Sequence, residues 1–244
     1  MNDPTPLLHV VGAGPWQVPT IRCAKAMGLR VLVTDGYVDR PGYALADRHE
    51  VVDITDAEGT LAAARRHGVN GVLCDTTDTG VFTAAYVADR LGLPGIGVEA
   101  ARRCTNKAAM TACIHKAGLR VPLSLEAANA DELAAAAAKI GFPVVVKPVD
   151  SQAGRGVSVV RDPCALEPAL EAALASGRCG KVIVQAFVYG VEVIVDSLVV
   201  DGHVHRLGLA RKTQFPDNPT VSVRITYGND DLAARVADID AVNT

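Results

Sequence analysis

One lysine and the short loop after it are the residues of this chain best suited to chemistry. Lys147 ends the apolar run Phe142–Val146, and the loop that follows contains Ser151, Gly154, Arg155 and Gly156. Glycine lets backbone N–H groups turn toward a ligand and lets that ligand approach closely. The lysine adds a positive charge beside the same loop. The pattern predicts a strand, a loop and a strand that form a lid over a polyphosphate.

This lid differs from a P-loop, because no G-x-x-x-x-G-K-[ST] occurs in the chain and the lysine precedes the glycines. The segment alone leaves an alternative open. It also fits a β-hairpin with a flexible tip, in which the lysine lies at the end of a strand by chance.

Further residues along the chain resemble the ATP-grasp family, in particular its carbamoyl-phosphate-synthase-like and carboxylate–amine ligase branches. In that family two lysines, a glycine-rich loop, a hinge and a ribose-binding glutamate surround ATP. The resemblance implies Lys107 as the first lysine, Lys147 as the second and Ser151–Gly156 as the loop. It also implies a hinge at Val184, Gln185, Ala186, Phe187 and Val188, with Glu192 as the ribose ligand and Lys212 near the terminal phosphates.

The chemistry of the three parts of ATP supports these assignments independently of the resemblance. Adenine is planar and largely apolar, and the apolar run Ile183–Val188 suits a dry cleft for it. An ionised carboxylate such as Glu192 accepts hydrogen bonds from both ribose hydroxyls. Phosphates require positive charge, which Lys107, Lys147 and either Arg155 or Lys212 supply. Strand alternation alone would also explain Glu192, as a residue that faces solvent.

Composition indicates a cytoplasmic enzyme. The chain has 244 residues, of which 49% are hydrophobic, and no apolar run is long enough to cross a bilayer. Its net charge of −3, without a basic run, argues against a nucleic-acid or membrane partner. The six cysteines form no C-x-x-C pair, so we expect free buried thiols.

The first hundred residues alternate between apolar strands and helices, which predicts a doubly wound parallel sheet. Gly12 and Gly14 follow the first strand, and Asp35 lies about twenty residues further on, as in a dinucleotide-binding fingerprint. Gln17 occupies the third glycine position, so the glycine that allows close helix–sheet packing is absent, which argues against a dinucleotide site. An NAD-dependent oxidoreductase is the less favoured alternative. Asp75, Thr76 and Asp78 follow the fourth strand, where they either line an acceptor pocket or form a turn and a helix cap.

The architecture changes after this region. We expect a fold of the α/β and α+β classes, with a Rossmann-like preATP-grasp domain at 1–104. An N-terminal ATP-grasp subdomain with the lid follows at 105–184, and a partial C-terminal subdomain at 185–244. Asp201-Gly202 predicts a hairpin turn, and His203 and His205 would share one face of its second strand. Two histidines without a third ligand are weak support for a metal site.

The resemblance implies ATP-dependent ligation of a small-molecule carboxylate to an amine or a thiol through an acyl phosphate. It also implies Mg²⁺, which family members hold with acidic residues and an asparagine on later strands. The expected ligands are absent from this chain, and Asp230–Thr244 reads as one acidic helix in which Asp238 and Asp240 face solvent. We therefore expect a C-terminally truncated ligase, which also allows a homodimer. The alternative is a non-catalytic nucleotide-binding or regulatory module.

Overall fold

The computed structural model describes residues 5–215, 218–228, 232 and 234–243. The chain consists of two compact units, Met1–Met110 and Thr111–Thr244. The division falls inside helix α5 (Lys107–Lys116). The three domain limits expected from the sequence remain a prediction.

The first unit is built on a four-stranded parallel sheet. Its strands are β1 (Leu7–Val11), β2 (Arg30–Asp35), β3 (Arg48–Val51) and β4 (Gly71–Leu73), in the order β3-β2-β1-β4. Its helices are α1 (Val18–Ala26), α2 (Ala57–His67), α3 (Val81–Leu91), α4 (Val98–Thr105) and the start of α5. The strand order reverses direction at β1, between β2 and β4, which is where open α/β sheets form a ligand crevice.

Both faces of this sheet are covered. On one face Val10, Val31 and Val33 pack with Ile21 of α1. On the other, Leu7 and Leu32 pack with side chains of α2 and α3, Leu61 and Val87 among them. Strand residues alternate between faces, so an apolar run such as Val31–Val33 fills both layers at once. The predicted doubly wound architecture follows from that alternation.

The second unit contains a four-stranded sheet with helices packed against it. The strands are β5 (Ser124–Ala127), β6 (Val144–Pro148), β7 (Ser158–Val160) and β8 (Val182–Ala186), in the antiparallel order β5-β8-β6-β7. The helices are α6 (Ala130–Ile140) and α7 (Leu166–Ser176). Leu133, Val144, Val146, Leu170 and Val184 belong to one buried cluster, which joins the two helices to the central strands.

A second, three-stranded antiparallel sheet completes this unit. It consists of β9 (Glu192–Val200), β10 (His203–Phe215) and β11 (Asn218–Tyr227) in the order β11-β10-β9, and helix α8 (Val236–Asn243) follows it. Asp201 and Gly202 have φ angles of 50° and 79°. Positive φ at both positions is typical of the type I′ turn that connects twisted hairpin strands. The predicted hairpin is therefore present.

The structure also corrects several expectations. Helix α4, which was not expected, ends at Thr105, and Asn106 between it and α5 has extended backbone and caps α5. Strands β5 and β11 were not expected. The helix expected over Asp230–Thr244 is present as α8 within the described residues, while 229–231, 233 and 244 lie outside them.

The cysteines are free, but the expectation that they are buried is wrong. Five of them are exposed, and only Cys74 is partly buried. The small size of cysteine made burial reasonable, yet those five lie on helix surfaces and in loops. Of the helices in the described ranges, none combines the length and the hydropathy needed to cross a membrane.

Candidate functional site

The lid of the second unit is the loop between β6 and β7. These strands pair antiparallel, with Val144 opposite Val160 and Val146 opposite Ser158. Lys147 is half-buried at the end of β6. Ala153, Gly154 and Gly156 all have positive φ, at 56°, 73° and 68°. The loop thus folds back sharply between two paired strands, as the sequence predicts.

Two glycines of the lid are required by close contacts. A Cβ atom added at Gly156 would lie 2.7 Å from Cβ of Ser176 and 2.8 Å from the carbonyl oxygen of Ala172, both on α7. A Cβ atom at Gly154 would lie 3.0 Å from the carbonyl oxygen of Thr220 on β11. Only glycine combines positive φ with so little space. The lid is therefore fitted against α7 and β11.

Positions in the rest of the lid differ in exposure. Ser151 is partly buried at the start of the loop, whereas Arg155 is exposed at its tip. Arg155 N–H donates to the carbonyl oxygen of Gln152 at 3.3 Å, and Val157 N–H to that of Gly154 at 3.3 Å. These turns leave the Arg155 side chain on the outside, where a guanidinium group can meet an anion.

The hinge segment leaves the central strand β8 and lines a cleft. Ala186 N–H donates to the carbonyl oxygen of Leu123 at 2.9 Å, and Phe187 N–H to that of Pro143 at 3.1 Å. Beyond Phe187 the chain borders a cavity of about 440 Å³, which has the following lining: Phe187, Val188, Tyr189, Gly190, Val191, Glu192 and Gln214. That volume lies within the range of small-molecule sites. Most of the lining is apolar, as an adenine ring requires.

Gln185 and Ala186, the first residues of the predicted hinge after Val184, make their contacts within the sheet rather than in the cleft. The Gln185 side chain is buried and donates to Oγ of Ser124 at 2.8 Å, which ties β8 to β5. Ala186 is the last residue of β8 and pairs with Val144. Neither residue lines the cavity, so the cleft side of the hinge begins at Phe187.

Glu192 is the charged group of the cleft, and two residues of β10 hold it. The Nζ atom of Lys212 lies 2.7 Å from Oε1 of Glu192, and Nε2 of Gln214 donates to Oε2. The Glu192 side chain is 47% exposed and that of Lys212 is 30% exposed. The carboxylate is thus positioned and still open to a ligand. A role of Lys212 at the terminal phosphates remains a prediction.

Lys107 begins helix α5, which crosses the division between the two units. The side chain of Asn106 accepts a hydrogen bond from Ala109 N–H at 3.0 Å, which caps this helix. The cap fixes the point at which the chain presents Lys107. Its role as the first lysine remains a prediction.

Residues 112–206 match the model of the ATP-grasp domain. The formate-dependent phosphoribosylglycinamide formyltransferase of Synechococcus sp. strain WH7803 is 35% identical over 171 residues, which cover 69% of this chain and 44% of that protein. The enzyme of the same name from Burkholderia pseudomallei strain 668 is 33% identical over 194 residues, covering 73% of this chain and 45% of that protein. The chain therefore contains an ATP-grasp domain, at residues 112–206.

Solved structures share the fold of this ATP-grasp protein. N5-carboxyaminoimidazole ribonucleotide synthetase in complex with ADP has a TM-score of 0.78 at 20% identity, over 98% of this chain and 63% of that one. The carboxyaminoimidazole ribonucleotide synthase of Aspergillus clavatus, complexed with ATP, also has a TM-score of 0.78, at 16% identity and with 62% of its chain covered. The predicted fold class is confirmed. The chain spans less than half the length of the curated relatives described above.

The family resemblance implies Mg²⁺, but the sequence of this chain predicts no residues that would bind it. Within the described ranges, no three His, Cys, Asp or Glu side chains group as a metal ion requires. Asp238 is paired with Arg235 at 3.0 Å and Asp240 with Arg206 at 2.6 Å. Both carboxylates are thus engaged by arginine side chains.

Two backbone N–H groups of the glycine turn in the first unit donate hydrogen bonds to the neighbouring strand β2. Gly12 N–H donates to the carbonyl oxygen of Thr34 at 2.7 Å, and Ala13 N–H to Oδ2 of Asp35 at 3.0 Å. Asp35 also accepts from Arg40, 3.0 Å away. In a dinucleotide-binding domain the equivalent carboxylate would bind a ribose. Here it binds the protein, which argues against the NAD alternative.

Four residues of the cavity lining were not among the predicted site residues, namely Tyr189, Gly190, Val191 and Gln214. Gln214 is the one whose side chain contacts Glu192. The available signal was its spacing from Lys212, because residues two apart on a strand share a face. That signal has value only once the pairing of β9 with β10 is known.

Proposed function

We propose that the second unit binds ATP and that the chain provides the nucleotide-binding part of a carboxylate–amine ligase. The observation that carries this proposal is the cavity of about 440 Å³ between the hinge and Glu192. Adenine would lie against Phe187 and Val188, and the ribose hydroxyls would donate to Glu192. The ADP and ATP complexes of the two structural neighbours support the same ligand.

The phosphates would extend toward the lid. Lys147 lies at the end of the strand that leads into it, and Arg155 is exposed at its tip. Charge-assisted contacts from these side chains and from loop N–H groups would hold the anionic oxygens. Lys107 and Lys212 are the further cations predicted at the phosphates.

The reaction class follows from the family. Transfer of the terminal phosphoryl group of ATP to a carboxylate oxygen gives an acyl phosphate and ADP. An amine then attacks the acyl carbon, phosphate leaves, and the nitrogen loses a proton. The residues of this chain would contribute orientation and charge neutralisation, because no covalent bond to the protein forms.

The substrates themselves are proposed only as a class, a small-molecule carboxylate and an amine. The curated relatives are named for phosphoribosylglycinamide. The chain covers less than half of their length, and part of any acceptor site can lie in the remainder.

Calorimetric titration of the purified chain with ATP and with NAD tests the proposal. We expect ATP to bind and NAD not to bind. Lys147→Ala should weaken ATP binding about ten- to one-hundredfold, since it removes a charge-assisted contact.

Lys181→Ala is the matched control for this substitution. Lys181 lies in the same unit, and its ammonium group makes an exposed ion pair with Glu126 at 3.2 Å. Removing it should leave ATP affinity unchanged. Binding of NAD without ATP would refute the proposal. Unchanged ATP affinity in Lys147→Ala, together with a large loss of thermal stability, would show that Lys147 is structural.

A further inference from the structure

Strand β9 forms one edge of its sheet. Among the strands that the structure describes, it pairs with β10 alone, in the order β11-β10-β9. It is nine residues long, Glu192–Val200. An edge strand directs backbone N–H and C=O groups away from its neighbour, and another extended chain can hydrogen-bond to them. A strand of this length therefore offers a surface for strand pairing.

β9 lacks the features with which proteins usually protect such an edge. Protected edges contain lysine, proline or a bulge, or they are very short. β9 contains no lysine, proline or glycine, and the irregularity of its hairpin adds the extra residue to β10. At the other edge, two register shifts beside Gln214 interrupt the pairing of β10 with β11. Of the two edges, β9 is thus the one suited to pairing.

The side chains of β9 are mostly aliphatic and open to solvent. Six of the nine are aliphatic, and Leu198, Val199 and Val200 are 52%, 61% and 46% exposed. The two acidic side chains of the strand are engaged within the sheet, by Tyr227 and by Lys212. Covering exposed aliphatic surface is favourable. A partner that pairs with β9 would therefore gain apolar contacts as well as hydrogen bonds.

An apolar cavity continues this surface on one face of the strand. It measures about 550 Å³ and has the following lining: Val191, Val193, Val195, Leu232, Arg235, Asp238, Ile239 and Val242. The two charged members pair with each other at 3.0 Å, and the others are aliphatic. A valine placed beside Val195 by a partner strand would extend this apolar lining.

Charge restricts the register in which two copies of β9 can pair. Opposite residues of antiparallel strands lie on the same face, so a two-fold axis perpendicular to the sheet passes through a residue position. An axis at Asp196 would place both copies of this carboxylate opposite each other. An axis at Ile194 would place Asp196 opposite Glu192. Like charges directly opposite destabilise a pair of strands, so these two registers are unfavourable.

An axis at Ser197 avoids such contacts and gives aliphatic pairs. It places Ile194 opposite Val200 and Val195 opposite Val199. By symmetry each of these pairs occurs twice. An axis at Val195 would form only the aliphatic pair of Val195 with itself. The sequence of β9 is therefore complementary to a second copy of itself in one register.

We propose that β9 pairs antiparallel with β9 of a second copy of this chain, with the two-fold axis at Ser197, and that the two three-stranded sheets join into one. Such an interface is isologous, because both copies use the same surface. The paired stretch is 194–200, so Glu192 and the nucleotide cleft stay outside it. The inference goes beyond the proposed function and does not depend on it.

Sedimentation velocity of the purified chain, without nucleotide and over a range of concentrations, tests the inference. We expect a reversible equilibrium between monomer and dimer and no larger species. Leu198→Asp and Leu198→Lys test the register, because Leu198 lies opposite Asp196 of the second copy. The first substitution introduces a like charge and the second an opposite charge, while both remove the same leucine. Since the contact occurs twice, the dimer of Leu198→Asp should dissociate about tenfold more readily than that of Leu198→Lys.

Val223→Asp and Val223→Lys are the matched controls. Val223 lies on β11, at the other edge of the sheet, and is 52% exposed, as Leu198 is. Neither substitution should change the dimer dissociation constant. The thermal unfolding of every variant is measured alongside, and we expect all four to be folded because both positions are exposed.

A chain that stays monomeric at every concentration would overturn the inference and leave β9 to a different partner. Assemblies larger than a dimer, or equal dissociation constants of the two Leu198 variants, would also overturn it. A dimer that Val223→Asp weakens as much as Leu198→Asp would place the interface elsewhere. ATP binding is measured by calorimetry on the same samples. An intact ATP response from a monomeric chain therefore refutes this inference alone and leaves the proposed function in place.

Discussion

His9 makes the stability of the first unit dependent on pH. It lies on the central strand β1 and is fully buried, and its Nε2 atom lies 2.9 Å from Oγ1 of Thr34. Its Nδ1 atom is buried and has no partner in the described ranges. Burial, with a smaller contribution from nearby His67, lowers the pKa of His9 from 6.5 to about 4, and Glu50 opposes this shift. The imidazole is therefore neutral in the folded state near neutral pH.

The sign of the effect follows from proton uptake. Because the folded-state pKa lies below the unfolded one, the unfolded chain binds more protons between these two values. Stability is therefore complete above pH 6.5 and is lost as the pH falls toward 4. With these two pKa values, the free energy of unfolding decreases by about 1.2 kcal/mol between pH 7 and pH 5.5.

Urea unfolding followed by Trp16 emission measures this loss, since Trp16 belongs to the same unit as His9. At a typical urea dependence the midpoint should fall by roughly 0.4–1.2 M between pH 7 and pH 5.5. His9→Gln removes the titrating group and keeps a polar side chain, so most of the fall should disappear. His203→Gln, at an exposed position, is the control and should behave like the unchanged chain. An equal midpoint at both pH values, or the same fall in His9→Gln, would refute the reasoning.

Two further predictions concern a thiol and the lid. Burial and the neighbouring Asp75 raise the pKa of Cys74 to about 12, so its thiolate fraction should be on the order of a thousandfold below that of an ordinary cysteine. Iodoacetamide at pH 8 should modify the exposed cysteines and spare Cys74 until guanidinium unfolds the chain; early modification of Cys74, mapped by mass spectrometry, would contradict this. Gly156→Ala should lower the free energy of unfolding by about 1–3 kcal/mol, because it adds both a strained φ and a close contact with α7. Gly180→Ala isolates the first cause, since Gly180 has a similar φ of 67° but no atom within 4 Å of an added Cβ; equal losses in thermal unfolding would show that the contact is unimportant.

Much of the fold could be read from local pattern. Apolar strands such as Leu7–Val11 and the lid with its glycines need only short-range signals, namely alternation and turn chemistry. Strand β11 carried the same signal in Val221, Val223 and Ile225, every second residue, and it was overlooked. The break between α4 and α5 was harder to find, because it depends on Asn106 leaving the helical conformation to cap the next helix.

The residue that pairs with Glu192 across the hairpin could not be predicted from the sequence, because a β-bulge in β10 shifts the pairing register. A two-residue turn at Asp201-Gly202 pairs Val200 with His203, and counting along both strands places Arg211 opposite Glu192. An irregularity between Arg206 and Gly208 adds one residue to β10, and the register becomes Lys212 opposite Glu192. One extra residue changes which face every later side chain occupies. Gly208, at this irregularity, is a local signal of a bulge, but a glycine alone does not fix how many residues the bulge adds.

The ion pair between Glu192 and Lys212 has a consequence for how a nucleotide would arrive. The two charges lie 2.7 Å apart and cancel, so the ribose end of the cleft exerts little long-range field. The guanidinium group of Arg155 adds a positive charge at the exposed tip of the lid. If the proposed nucleotide site is correct, we expect a triphosphate approaching from solution to be attracted to the lid before its base reaches the hinge. Capture would then begin at the phosphate tail, and recognition of the base would follow as a second, short-range event.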